Sequence, residues 1–162
     1  YALGAHMLIL GGVARTTDES RSRLEASVRD GSALACFREI VTAQGGDARV
    51  VDEPERLPAA TWQVPLVAES TGFVGDVDAM AVALAALGLG AGRTRAADRI
   101  DPAVGVTALV KRGERVERGA PLCVIHANDP TALAKAKAAL ARAIVVTDEP
   151  PTLPPLIAEV LL

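Results

Sequence analysis

The chain has 162 residues, with 17 basic and 20 acidic side chains and a net charge of −3, which argues against the basic stripe of a nucleic-acid binder. Only four aromatics are present (Tyr1, Phe37, Trp62 and Phe73), so no base-stacking platform is available. The longest stretches free of Asp, Glu, Lys and Arg, Tyr1–Ala14 and Ala79–Gly92, are 14 residues each, short of the ~20 needed to span a bilayer.

These features point to a soluble, cytoplasmic protein with neither nucleic-acid nor membrane partners. A chain of this length buries roughly 70% of its unfolded surface, so no metal or disulfide staple is required. Cys36 and Cys123 lie far apart with no CxxC spacing and are expected as buried thiols.

In chain order, residues 2–14 read as an apolar, buried helix ending near Gly11–Gly12. There is no initiator Met and no preceding segment to cover this helix, which suggests a fragment lacking its natural N-terminal part. Thr16 and Glu19 make a capping-box pattern for a helix carrying Leu24 and Val28 and stopping at Gly31. Ser32 is expected to cap Ala33–Ala43, whose stripe is Leu34, Phe37 and Val41, and Gly45–Gly46 ends it. Asp47–Val51 reads as a short strand.

The segment Asp52–Pro65, with Pro54, Pro58 and Pro65, is the best boundary in the chain. Two domains follow from it, 1–53 and 54–162. Beyond it lie a strand pair around Gly72 and Asp78 as N-cap of an almost wholly apolar helix, Ala79–Leu87, expected as the buried centre of the second domain. Gly88, Gly90 and Gly92 end that helix before a charged loop, Arg93–Asp101.

The stretch Val104–Ala127, VGVTALVKRGERVERGAPLCVIHA, sets two apolar runs around a polar turn region with Gly113 and Gly119. Val116 is expected to pin that region to a core. Val64–Val77 has a similar grammar, and the two β units are expected to wrap around the helix between them. Asp129 and Pro130 then start a helix, Thr131–Arg142, with Leu133 and Leu140 inward and Lys135, Lys137 and Arg142 outward. Ala143–Thr147 is a last strand, followed by an apolar tail, Leu156–Leu162.

No constellation of nucleophile, base and oxyanion donors emerges. Gly88–Gly92 lacks the strand-before, helix-after context of a phosphate loop, and Arg93 stands where GxGxxG needs its last glycine. His6 and His126 read as structural imidazoles. Asp78 reads as a cap and Asp76 as a solvated side chain, rather than a pair holding a hard cation. Asp98 and Asp101 fit turn chemistry. Lys111, Arg112, Arg115 and Arg118 are interleaved with Glu114 and Glu117 as a solvated turn. No residue of the chain is assigned a catalytic, substrate-binding, cofactor or metal role.

The order MLILGGVA, GSALACFREIVTAQGGD, LP, GFVGDVDA, then ALGLGAGRTRAADRIDPAVGV and KRGERVERGAPLCVIHA resembles the C-terminal part of the pyrimidine-nucleoside phosphorylases, thymidine phosphorylase included. Gly90–Arg93, Gly-Ala-Gly-Arg, departs slightly from the more usual Gly-Gly-Gly-Arg. The resemblance implies an α+β chain: the helical end of an α/β catalytic domain (1–53), then a C-terminal α+β subdomain (54–162) with hammerhead or barrel-sandwich-like β units around a buried helix. It also implies a parent pentosyltransferase, a homodimer without cofactor. There, phosphate as co-substrate attacks the anomeric carbon of a pyrimidine nucleoside and donors stabilise the departing base.

The family's Lys-His-Ser stretch and its base-holding Arg, Ser and Lys belong to the N-terminal part. The piece itself is therefore expected to be inactive, with the N-terminal remainder of the enzyme as its partner. Two alternatives stand beside this reading. One is a biotinyl or lipoyl carrier, whose modified lysine is missing from the turn at His126–Asp129. The other is a stand-alone interaction module.

Overall fold

The computed structural model describes residues 1–160, so Leu161 and Leu162 of the expected tail lie outside the described residues. Two compact units divide the chain, Tyr1–Arg56 and the part from Leu57 onward.

The first unit is helical: α1 (Ala2–Leu10), α2 (Thr17–Arg29) and α3 (Ser32–Ala43), followed by 3₁₀ turns at Ala48–Val51 and Pro54–Arg56. Thr16 accepts the Glu19 N–H at 3.2 Å, as the capping pattern requires, but the Glu19 carboxylate reaches one residue further back, to the Arg15 N–H at 2.9 Å. Helices α1 and α2 pack together. A Cβ built on Gly4 would lie only 3.0 Å from Leu24 Cδ1, so a small residue permits this approach.

Three expectations fail here. Helix α1 is not buried all round: α2 covers the side bearing Ala5, while Leu3, Met7 and Leu10 face solvent. Ser32 is the first helical residue of α3 and not its cap. Gly31 takes the cap position in a left-handed conformation, the Asp30 carboxylate accepts the Ser32 N–H at 2.9 Å, and the Ser32 hydroxyl turns back to Ser27 O. Asp47–Val51 is no strand, because the Asp47 carboxylate accepts the Arg49 N–H at 3.0 Å and coils the segment into a 3₁₀ turn.

Among the described residues the second unit has six strands and two α-helices: β1 (Trp62–Val67), β2 (Gly72–Val77), α4 (Ala79–Ala86), β3 (Gly105–Thr107), β4 (Arg115–Val116), β5 (Pro121–Ala127), α5 (Pro130–Ala143) and β6 (Ile144–Thr147). They make an α+β fold of two antiparallel three-stranded sheets, ordered β1-β5-β3 and β4-β2-β6. Successive strands change sheet every time, so no strand pairs with the next one in sequence, although β3 and β5 pair within Val104–Ala127 around β4, which joins the other sheet. Corner bonds stitch the crossings: Ala68 N–H to Ala120 O at 2.9 Å, Gly113 N–H to Val74 O at 2.7 Å. Pro65 sits in edge strand β1, where a missing ladder donor does least harm.

The register explains the core. Val64, Ile125 and Val106 align across one sheet, as do Gly72 with Val116 and Val74 with Val146 in the other. Ile125, Cys123, Val74 and Leu140 are fully buried, and Val116 is buried as expected. Gly72 is required by close approach, because a Cβ there would meet Thr147 O at 2.5 Å.

Helix α5 follows its sequence signals. Asp129 accepts the Ala132 N–H at 2.6 Å, Pro130 opens the first turn, Leu140 points inward, and Lys135, Lys137 and Arg142 point out. Helix α4 departs from expectation. Asp78 caps it as predicted, but Ala85 alone of its residues is buried while Met80 and Leu84 stand in solvent. An all-apolar sequence carries no period from which to choose a buried face.

Candidate functional site

The region richest in candidate residues is the helix stop and charged loop. After α4 the backbone widens into a π turn, Leu87–Ala91, broken at Gly90, whose φ is +107°. The loop then closes on itself. The Asp98 carboxylate accepts three bonds, from the Thr94 N–H (3.0 Å), the Thr94 hydroxyl (2.7 Å) and the Arg95 N–H (2.8 Å). These donors hold its pKa below the usual carboxylate range, the Thr94 hydroxyl foremost.

Asp101 anchors the other end of the loop. Its N–H donates to Gly90 O at 3.0 Å, and its carboxylate accepts from Asn128 Nδ2 (2.8 Å) and the Ala103 N–H (2.9 Å). The same Asn128 accepts the Thr61 N–H at 2.7 Å through its Oδ1. One relay thus joins the loop, the β5–α5 junction and the start of β1. The Asn128 bond is the main cause of a lowered pKa at Asp101.

One strand-end residue away, His126 Nε2 and Thr107 Oγ1 are bonded across the β3–β5 ladder at 2.7 Å. His126 therefore has a structural partner, as expected.

The other candidates disperse. Asp76 is exposed on β2 next to a bulge, and Asp78 is committed to capping α4. Among the described residues no three His, Cys, Asp or Glu side chains converge as a metal site would need. In the basic turn, Glu114 accepts the Lys111 N–H at 3.0 Å and the Arg118 N–H donates to Thr71 Oγ1 at 3.0 Å, so backbone bonds shape the turn. Cys123 is buried, which pushes its thiol pKa up, whereas Cys36 is exposed, against the expectation of two buried thiols. Helix α3 presents that side to solvent.

A groove of about 460 Å³ between α4 and α5 is lined mainly by alanines, with Asp78, Lys135 and Arg142 among its side chains. No polar constellation completes it. Among the described residues no helix is long and apolar enough to cross a membrane.

Sequence reasoning missed Thr61, Thr107 and Asn128. The signal available for Asn128 was its place between a strand and an Asp-Pro helix start.

Two alternating three-stranded sheets with helices α4 and α5 define an α+β domain, in which the polar side chains just described tie turns and strand ends together. Residues 73–147 match the family model described as the pyrimidine nucleoside phosphorylase C-terminal domain. Over 156 residues, 94% of this chain, the sequence is 43% identical to the thymidine phosphorylase of Burkholderia orbicola (strain MC0-3). It is 41% and 44% identical over 126 residues, 78% of the chain, to the pyrimidine-nucleoside phosphorylases of Bacillus subtilis (strain 168) and Geobacillus stearothermophilus. The chain corresponds to the C-terminal portion of the pyrimidine-nucleoside phosphorylase family. It spans 36% of the length of the Burkholderia relative and 29% of the Bacillus and Geobacillus ones.

Proposed function

We propose that this chain serves as the structural C-terminal part of a pentosyltransferase that cleaves thymidine or uridine with phosphate, giving the free base and (deoxy)ribose 1-phosphate. The observation that carries the reading is the 43% identity across 94% of the chain to a thymidine phosphorylase. Residues 1–53 close the α/β catalytic domain and 54–162 form the α+β subdomain. The N-terminal remainder supplies the groups that hold phosphate and the leaving pyrimidine. The enzyme works in the cytoplasm as a homodimer, with phosphate as co-substrate and no cofactor.

That the chain contributes no catalytic group is supported by how its polar residues are used. Asp78, Asp98, Asp101, Asn128 and His126 are all engaged in caps, turns and strand-end bonds.

The test is a chimera in which this chain replaces the matching C-terminal portion of the Burkholderia orbicola thymidine phosphorylase. The soluble chimera is expected to release thymine from thymidine only when phosphate is present. A soluble chimera with no phosphorolysis of either thymidine or uridine would overturn the proposal.

A further inference from the structure

Arginine is used in two ways along the chain. In the first unit Arg21, Arg23, Arg38, Arg49 and Arg56 each hold a carboxylate. Arg93, Arg95 and Arg99, on the loop after α4, are exposed, and among the described residues none of them is in an ion pair. Two aspartates share that loop, yet other donors fill them: Thr94 and the Arg95 N–H at Asp98, Asn128 and the Ala103 N–H at Asp101. A carboxylate offers about four acceptor sites, so little remains on Asp98 for a guanidinium. Three arginines against two aspartates leave Arg93–Asp101 at +1 in a chain of −3.

The loop also holds its shape. The Asp98 N–H donates to Arg95 O at 3.0 Å, and the Asp101 N–H closes the loop on Gly90 O at 3.0 Å. Three guanidiniums are thus carried on one closed backbone, which lowers the ordering cost of gathering them on a ligand. Resting on the phosphorylase reading, we propose that Arg93, Arg95 and Arg99 form an outer subsite for a phosphate dianion, additional to the groups supplied by the N-terminal remainder. The dianion is inorganic phosphate or the 1-phosphate of the released pentose, which present the same chemistry. A guanidinium fork takes phosphate oxygens two at a time, and a phosphate group has more oxygens to offer three forks than a carboxylate has.

The test is an amide NMR titration of the isotope-labelled 162-residue chain with inorganic phosphate and, separately, with ribose 1-phosphate, sodium chloride holding the ionic strength constant. Amide shifts of Thr94–Arg99 are expected to move and saturate, with a Kd on the order of 1–10 mM for such exposed charges. Arg93→Gln, Arg95→Gln and Arg99→Gln combined should abolish the saturation while the β5 and α5 signals stay in place. Arg115→Gln with Arg118→Gln, in the basic turn where Glu117 stands between them, should leave it intact. Lysine at the three loop positions keeps the charge and loses the fork, and should weaken binding at least about threefold. Tighter saturation by phosphate assigns the subsite to the entering co-substrate, and tighter saturation by ribose 1-phosphate assigns it to the product.

Shifts that do not saturate, that acetate reproduces at the same ionic strength, or that persist in the triple glutamine variant would overturn the proposal. Phosphorolysis by the chimera described above separates it from the functional reading. An inactive chimera beside saturating loop shifts defeats the functional reading alone, and an active chimera beside a silent loop defeats the subsite alone.

Discussion

The two units use their apolar residues in opposite ways. In the unit from Leu57 onward, period-2 strands and an amphipathic helix converge, and Ile125, Leu140, Val74 and Cys123 lose all contact with water. In Tyr1–Arg56 the buried residues are Ala5, Ala14 and Ser20, all small, while Leu3, Met7, Leu10, Phe37 and Ile40 are exposed. A unit gains stability from large buried side chains, at roughly 1.5–3 kcal/mol for each one fully removed from water. The second unit thus carries its own core, and the first leaves its large apolar side chains exposed.

The sharpest way to break this contrast is to truncate one residue in each unit. Leu140→Ala should cost about 2–5 kcal/mol in denaturant unfolding of the chain, since its packed surroundings relax only in part. Phe37→Ala should cost no more than about 0.5 kcal/mol, as for a surface change. Comparable losses would mean that the first unit has a core of its own after all. Gly72→Ala comes next, at about 1–3 kcal/mol by the same measurement, because its Cβ would press on the backbone of β6.

Acid distinguishes the units more gently. In the first, Arg49 holds the Asp47 carboxyl down to about 2, and hydrogen bonds also lower Glu19, Asp30 and Asp52. A carboxyl depressed in the folded state stabilises fully above its ordinary value near 4, and that contribution fades as pH falls through the folded value. In the second unit only Asp98 and Asp101, both around one loop, show the same depression among the described carboxylates. Residue-resolved hydrogen exchange between pH 5 and 2 should therefore show α1–α3 losing protection before β5 and α5. The reverse order would refute the contrast.

The smallest effect is expected at Ala108, which has a left-handed backbone with φ +50°. Ala108→Gly should raise stability by about 0.5 kcal/mol, the relieved strain outweighing the added freedom of the unfolded chain.

Local chemistry was readable from the sequence, and long-range pairing was not. Asp129–Pro130, Asp78, Thr16 and the turn role of Asp98 all act within four residues of themselves, so spacing alone reveals them. Strand partners depend on the whole fold. Val64–Val77 and Val104–Ala127 look alike as β units, yet β1 and β2 of the first pair with β5 and β4 of the second while β3 and β5 pair within Val104–Ala127, because alternation identifies a face but not a neighbour. Asp47 shows the limit even at short range. Val50 and Val51 favour a strand, and one carboxylate bonded to the Arg49 N–H outweighs them.

The candidate site divides the same way. The closure of the loop on Asp98 was visible as turn chemistry. The relay from Asp101 through Asn128 to Thr61 was not, because its bonds join residues 27 and 67 positions apart. The family markers in Val104–Ala127 were visible in the sequence, and in the fold they become β3, β4 and β5 of the two sheets.

The most direct test of the division of labour is phosphorolysis by the purified 162-residue chain itself. Incubated with thymidine or uridine and inorganic phosphate, it is expected to release no free base above the protein-free blank. Phosphate-dependent release of thymine or uracil by this chain alone would contradict the assignment of the chemistry to the N-terminal portion.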